Sequence, residues 1–366
     1  MSKTSIEWSP GARLNRCRAS GATMGTRYGV QFYAPPTADA KAIAAELDAA
    51  VRAVDAQMSN WKADSDLSRL NRATPGSWTP TSANLAAVLV RALEIGRETG
   101  NAFNIGVGAL VDAWGFGPGA AANERAANER AASGCAENRH AAGPADATRM
   151  PSTIGRTTDA GRASNMRGAL PSPCRPIDEL LEVDVARGRA RRLADVAFDL
   201  CGIAKGFGVD ELARVLDRHG ITAWLVGIDG ELRARGCKPD GSPWAIALEA
   251  PDYDRRGAMG AIDLVDAAVA TSGDYRHWAD IGGKRISHTI DPRAGAPLHG
   301  GIASVTVVAQ DCTDADAYAT ALMVLGEQAG RAHAERLGLD ALFVVRDGDA
   351  LRTIGCGFFA NARPAG

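Results

Sequence analysis

The sequence predicts an α+β fold, largely antiparallel sheet with helices packed against it. Three observations carry that expectation. Strand-like stretches are mostly joined by short turns, helical stretches come in blocks, and the regular strand–helix alternation of a doubly wound parallel sheet is missing. With 366 residues and 46% apolar composition, the chain can fill one large or two-lobed domain. Residues 1–20 are polar and irregular and read as a loose tail, leaving 21–362 as the folded domain.

Met24–Tyr33 alternates as a strand does, and Ala34-Pro35-Pro36 stops it. From Ala38 to Gln57, Ile43, Leu47, Val51 and Val54 recur at helical spacing, with Met58 just beyond. Residues 58–71 read as a loop with Trp61 between polar neighbours. A second helix, Ser82–Thr99, carries Leu85, Val88, Leu89 and Leu93 on one face and stops at Gly100. Five glycines in 101–119 argue against an ordinary helix and for backbone packed closely against something. Composition then changes. Residues 121–130 give Ala-Ala-Asn-Glu-Arg twice, and large apolar side chains stay scarce to about Pro173. Too little can be buried there to offset the entropy of ordering, so 119–173 is expected to be a disordered surface insertion.

Order resumes at Ile177–Leu181, followed by strands at 181–185 and 191–195 that turn at Arg187-Gly188. Val196–Leu200 reads as a strand entering Cys201-Gly202 and a helix with Leu212, Val215 and Leu216 that ends at Gly220. Strands are expected near 222–228, 231–235 and 243–249. Ala267–Gly295 then opens as a buried strand, breaks at Ser272-Gly273-Asp274, and turns through a polar hairpin at Gly282-Gly283. Its return strand carries Lys284, Arg285, Ser287 and His288 before Asp291-Pro292-Arg293. Ile302–Val308 is a strand, 313–325 and 327–337 are helices, and a hairpin over Asp347-Gly348 closes the chain.

Net charge is −2 and no basic run could track a phosphate backbone, so nucleic acid is not an expected partner. Seven scattered cysteines without a CxxC pair suit reduced thiols. No apolar run is long enough to span a bilayer, and the first residues lack the apolar core of a signal peptide, so a cytoplasmic protein is expected. HExxH and GxSxG are absent, and no GxGxxG joins a strand to a helix.

Three stretches can carry chemistry. The polar groups of 267–295 cluster at strand ends, where binding groups tend to sit, although a plain hairpin tip would look the same. Asp199–Gly206 ends a strand in an acid and turns through glycine into a helix start, where free N–H groups and Lys205 could cradle phosphate or where glycine could serve only the turn. In Thr313–Thr320, Asp316 and Thr320 lie four apart, so both oxygens leave one helix face and suit Mg²⁺. The same residues also fit a capping box, with Thr313 as cap and Asp316 three residues on.

Taken in order, seven blocks resemble the ApbE-like FAD:protein FMN transferases. They are MGTRYGV (24–30), MSNWKADSDLSRLN (58–71), FNIGVGALVDAWGFGP (103–118), DLCGIAKGFGVD (199–210), VATSGDYR (269–276), SHTIDPRAG (287–295) and SVTVVAQDCTDADAYATALMVLG (304–326). The resemblance implies an enzyme that binds FAD, cleaves its pyrophosphate with Mg²⁺, passes FMN to a Thr or Ser hydroxyl of an acceptor flavoprotein, and releases AMP. It implies a metal held by Gly202, Asp316 and Thr320. Flavin contacts fall on Met24, Trp61, Ala102, Phe103, Asn104, Asp199, Lys205 and Ile290, with Ser272, His288 and Asp291 lining the same region. Asp316 and His288 are the candidate bases. Asn104 stands where the family usually has Asp, Gly106 where it has Thr, and Ala109 where it has Pro. Trp61 replaces a common Tyr and can still stack on a flavin ring. The rivals are a metal-dependent FAD pyrophosphatase that gives FMN and AMP, and a flavin-binding protein without turnover.

Overall fold

The computed structural model describes residues 7–9, 14–118, 172–276, 278–281, 284–299, 301–348 and 350–361. Nine strands form one antiparallel sheet whose spatial order repeats the chain order. They are β1 (Glu7–Ser9), β2 (Asn15–Thr23), β3 (Thr26–Ala34), β4 (Trp224–Ile228), β5 (Glu231–Arg235), β6 (Ala268–Gly273), β7 (Ile302–Ala309), β8 (Asp340–Asp347) and β9 (Ala350–Cys356). A meander needs only short links, yet this chain leaves the sheet for long excursions after β3, β5, β6 and β7. Those excursions supply the covering layers and most of the site.

The expected tail to residue 20 is corrected at Asn15, because 15–20 belong to β2, which pairs with β3 from Asn15↔Ala34 to Thr23↔Thr26. Its inward positions are Cys17, Ala19, Gly21 and Thr23, too small or too polar for a hydrophobic alternation to show in the sequence. The two-residue turn to β3 is Met24-Gly25, both at positive φ (45° and 72°), as a tight hairpin requires.

Six helices are described. Helix α1 (Ala40–Met58) is capped by Asp39 and buries Ile43, Leu47, Val51, Val54 and Met58, each contributing roughly 1.5–3 kcal/mol. Helix α2 (Asp66–Arg72) corrects the loop expected at 58–71. Ser65 caps it, and only Leu67 and Leu70 mark its buried side, too few for periodicity to reveal. Helix α3 (Ala83–Glu98) starts at its Ser82 cap. A short helix, α4 (Gly108–Ala113), forms inside the glycine-rich stretch. Gly108 is there for close approach rather than to break a helix, since a Cβ would sit 2.6 Å from the Ala197 carbonyl oxygen. Helix α5 spans Ala204–Arg218. The two helices expected at 313–325 and 327–337 are both present as the two halves of α6 (Cys312–Leu337), which part at Gly326, where φ is 83° and ψ 178°.

Two further differences have physical causes. Val196–Leu200 belongs to no sheet. It is held extended by Asn71, whose Oδ1 accepts from Phe198 N (2.8 Å) and whose Nδ2 donates to Phe198 O (2.9 Å). The strand Trp244–Glu249 pairs with an unanticipated partner, Ala258–Leu264, whose polar and glycine residues hide its alternation.

Helices α1 and α5 cover one face of the sheet, where Tyr28, Phe32, Val226 and Ile228 meet Leu212, Val215 and Leu216. The 244–264 hairpin covers the other face with Trp244, Ile246 and Leu264 against Val269 and Leu342. Helices α2 and α3 build a third core with α6, β7 and β8, where Leu89, Phe103 and Phe198 meet Leu322, Val305 and Phe343. Met24 touches both the α1–α5 core and the third core, at the seam where the site lies. The expected insertion 119–173 lies outside the described residues but for its last two. Among the described residues no helix is long and apolar enough to cross a membrane.

Candidate active site

The site is built on the contact between α5 and α6. A Cβ at Gly206 would stand 2.2 Å from the Cys312 carbonyl oxygen and 2.9 Å from Asp316 Cβ, so glycine alone lets the helices approach this closely. The Gly206 N–H donates to Asp316 Oδ2 at 3.0 Å, and Asp316 is only 4% exposed. One turn along α6, Thr320 Oγ1 would meet a Gly202 Cβ at 3.1 Å, and it lies 3.1 Å from Ser272 Oγ on β6. The i, i+4 spacing of Asp316 and Thr320 thus aims both at one corner, with Gly202 and Ser272 opposite.

The capping-box reading of Thr313 and Asp316 is corrected. Asp311 is the N-cap of α6 and accepts from Asp314 N at 3.1 Å. Asp210, from α5, accepts from Cys312 N (3.0 Å), Thr313 N (2.9 Å) and Thr313 Oγ1 (2.5 Å), and it pairs with Arg233 (2.6 Å). With the helix end satisfied by those two acids, Asp316 is released from capping.

This corner is lined by oxygen: a carboxylate, two hydroxyls and the main chain of Gly202. Such donors fit a hard cation such as Mg²⁺, which keeps waters and substrate phosphate in its remaining positions. Among the described residues no group of three or more His, Cys, Asp or Glu is arranged to hold a metal, so a softer, nitrogen- and sulfur-rich centre has no support here.

The opposite wall comes from the first excursion. Asp199 Oδ1 accepts from Cys201 N at 2.7 Å, and Oδ2 accepts from Asn60 Nδ2 at 2.9 Å. Next to Asn60, Trp61 is 59% exposed, an indole left in water at the rim. Ala102 and Phe103 are buried, and the Phe103 ring lies 3.4 Å from where a Gly202 Cβ would be. Asn104 turns its amide inward: Oδ1 accepts from Gly106 N (2.8 Å) and Nδ2 donates to Arg175 O (2.9 Å). An ionised Asp could not make the second bond, which gives the Asn a structural reason. Met24 packs on Gly208 of α5, with its Cε 2.8 Å from where a Cβ would be.

Lys205 sits in the first turn of α5 and donates to Glu231 Oε1 at 2.6 Å. Burial works against its charge, but Glu231, Asp316 and Asp229 outweigh it and hold the ammonium above the usual lysine range. Burial pushes the Glu231 carboxyl up to about 7 against the pull of Lys205, and it pushes Asp316 up as well. One ammonium therefore faces three carboxylates, and the Gly206 N–H is already taken by Asp316. The phosphate cradle expected at this helix start is partly occupied by the protein's own acids. Cys201 is no activated nucleophile, because the neighbouring Asp199 charge raises its thiol pKa above the ordinary value.

The 287–295 loop is pinned from three sides. Arg293 pairs with Asp291 (3.0 Å) and donates to Val324 O at the end of the first half of α6 (3.0 Å). Trp114 Nε1 donates to Gly295 O (3.2 Å), and Cys174 N donates to Pro292 O (2.7 Å). Ile290 is buried, and the His288 ring meets Phe116 edge-on with centroids 6.4 Å apart. The polar hairpin expected here is formed by Trp278–Ile281 and Lys284–Ser287, a sheet of its own, which keeps His288 off the strand that carries Ser272.

Sequence reasoning missed Asn60, Asn71, Asp210 and Glu231. Both asparagines lie in the 58–71 block, Asn60 directly beside Trp61 and Asn71 at its end, and membership of that block was the available signal. Glu231 follows Asp229-Gly230 and reads as part of an ordinary hairpin turn.

The sequence model of the ApbE family matches residues 24–343. An FAD:protein FMN transferase of Vibrio cholerae is 34% identical over 334 residues, 91% of this chain and 88% of its own length. One from Escherichia coli K12 is 32% identical over 337 residues, covering 91% and 85%. Among solved structures, the flavin transferase ApbE from Vibrio cholerae superposes with a TM-score of 0.73 at 32% identity, over 94% of this chain and 98% of that one. The apo flavinyl transferase ApbE of Pseudomonas stutzeri gives 0.74 at 31% identity, over 98% and 100%.

Proposed function

The chain belongs to the ApbE family, and from that premise we propose that the corner between α5 and α6 is where FAD is split and its FMN half passed to a protein. The activity is that of an FAD:protein FMN transferase. We assign Gly202, through its carbonyl, Asp316 and Thr320 to Mg²⁺, a Thr or Ser hydroxyl of a flavoprotein as acceptor, and AMP as leaving group. The six cysteines among the described residues are free, which suits a reducing compartment, and the proposed acceptor is a cytoplasmic flavoprotein.

When bound, Mg²⁺ supplies neutralisation of charge on the phosphate oxygens. The chain's own residues do the rest. Trp61 at the rim offers a face for the isoalloxazine ring, beside Met24, Ala102, Phe103, Asn104 and Ile290. Asp199, fixed by Asn60, orients the flavin, and Lys205 adds a fixed positive charge for the phosphates. Ser272 holds Thr320 through their 3.1 Å contact. The attacking hydroxyl must shed a proton, and His288 is the acceptor we assign. Asp316 is the second candidate, with one oxygen already committed to Gly206.

The observation that carries this reading is the convergence of Asp316, Thr320, Ser272 and Gly202 from three separate elements on one oxygen-lined corner. The test is incubation with FAD and Mg²⁺, with and without a candidate flavoprotein, followed by separation of AMP, free FMN and flavinylated protein. Acceptor-dependent AMP release with FMN attached to Thr or Ser is expected. Equal AMP and free FMN without any modified protein would make the chain a pyrophosphatase, and no AMP at all would make it a flavin-binding protein.

A further inference from the structure

Two buried carboxylates lie near the site, and they are satisfied very differently. Asp210 has both oxygens filled, Oδ1 by Arg233 and Cys312 N, Oδ2 by Thr313 N and Oγ1. That is how a carboxylate kept for the fold looks. The Glu231 side chain is 3% exposed, yet only Oε1 has a partner, Lys205 Nζ at 2.6 Å, while Oε2 is buried without one. A half-satisfied buried carboxylate costs stability, so the fold by itself has no use for it. Its one partner is the cation that faces the phosphates in the proposed site. The next strongest attraction on that cation comes from Asp316, then from Asp229. Lysine is a point charge on a flexible stem, and without a tether it would turn towards those acids.

We propose that Glu231 is a positioning residue for FAD binding: it tethers the Lys205 ammonium so that it meets the phosphates instead of folding onto Asp316. The inference rests on the flavin-transfer reading and goes beyond it by giving a role to a residue that touches neither flavin nor metal. It makes a prediction of sign. A carboxylate that merely sat near anionic phosphates would repel them, and its removal would tighten FAD binding. A carboxylate that positions Lys205 does the opposite.

The experiment is equilibrium binding of FAD, followed by quenching of flavin fluorescence without acceptor, in the full chain and in Glu231→Gln, Glu231→Asp, Lys205→Met and Glu231→Gln/Lys205→Met. Glu231→Gln should bind FAD about tenfold more weakly, the scale of one charge-assisted hydrogen bond, with an unchanged melting temperature. Glu231→Asp keeps the charge but draws it back from Lys205, so it should weaken binding similarly. It also carries the test if the Gln variant does not fold. In the Lys205→Met background Glu231→Gln should have no weakening effect, or should tighten binding. Wild-type or tighter binding in both Glu231 variants, or the same weakening with Lys205 already gone, would overturn the inference. A wild-type chain that fails to bind FAD would sink the transfer reading and this inference together, whereas intact wild-type binding with indifferent Glu231 variants sinks only the inference.

Discussion

Asp316 serves two structures at once, since its carboxylate closes the α5–α6 contact through Gly206 N and lines the oxygen-rich corner with Thr320. The two roles separate in Asp316→Asn. Asparagine keeps an acceptor for the Gly206 N–H and removes a buried charge whose pKa burial has raised, so stability should change by no more than about 1–2 kcal/mol. Loss of a hard-cation ligand should cut AMP release about a hundredfold or more at saturating Mg²⁺. Turnover near the wild-type rate would leave Asp316 as a clasp between helices and nothing else. The same care applies to Asn104, whose amide is spent on Gly106 and Arg175, so the flavin contact proposed for it would have to come from its backbone.

At the scale of elements, the site depends on how closely α5 and α6 approach and on what fixes the start of α6. Asp210 and Asp311 satisfy that helix end, and Arg91 of α3 grips its first turns by a two-pronged bond to Asp314 (2.7 and 2.9 Å). Two glycines of α5 then make a paired test. In Gly206→Ala the new methyl meets the Cys312 carbonyl oxygen, a main-chain atom that cannot yield without moving a helix. The variant should lose about 1–3 kcal/mol of stability and most of its activity. In Gly208→Ala the methyl meets only the far ends of two side chains, Met24 Cε and Ile228 Cδ1, both of which can shift without moving a helix, so the loss should be smaller, about 1 kcal/mol or less. Thermal melting of both variants decides the matter, and equal tolerance would show that the close approach at Gly206 is not needed.

Across the whole molecule, both flanks of the 119–173 stretch end on the same loop, Trp114 on Gly295 and Cys174 on Pro292. With few large apolar side chains to bury, the stretch has little to contribute to a core. Replacing residues 121–170 by a short Gly-Ser linker should leave melting temperature and FAD binding nearly unchanged. Collapse of either one, measured on the excised protein, would show that the stretch packs or takes part in binding.

The sequence alone was enough for the elements with strong local signals: the amphipathic stripe of α1, the stop of α3 at Gly100, the stop at Gly220 and the i, i+4 pairing of Asp316 with Thr320. Each is set by neighbours a few residues apart, within reach of periodicity and capping rules. It was not enough for β2, whose inward residues are Cys, Ala, Gly and Thr, or for α2, whose buried side is two leucines. Only the tertiary structure decided that Asp316 is not a cap, that Asn60 holds Asp199, and that Glu231 holds Lys205. Those partners lie 110, 139 and 26 positions away along the chain. Whether a carboxylate caps, ligates or tethers depends on which donors the completed fold brings to it, and that is settled by long-range packing.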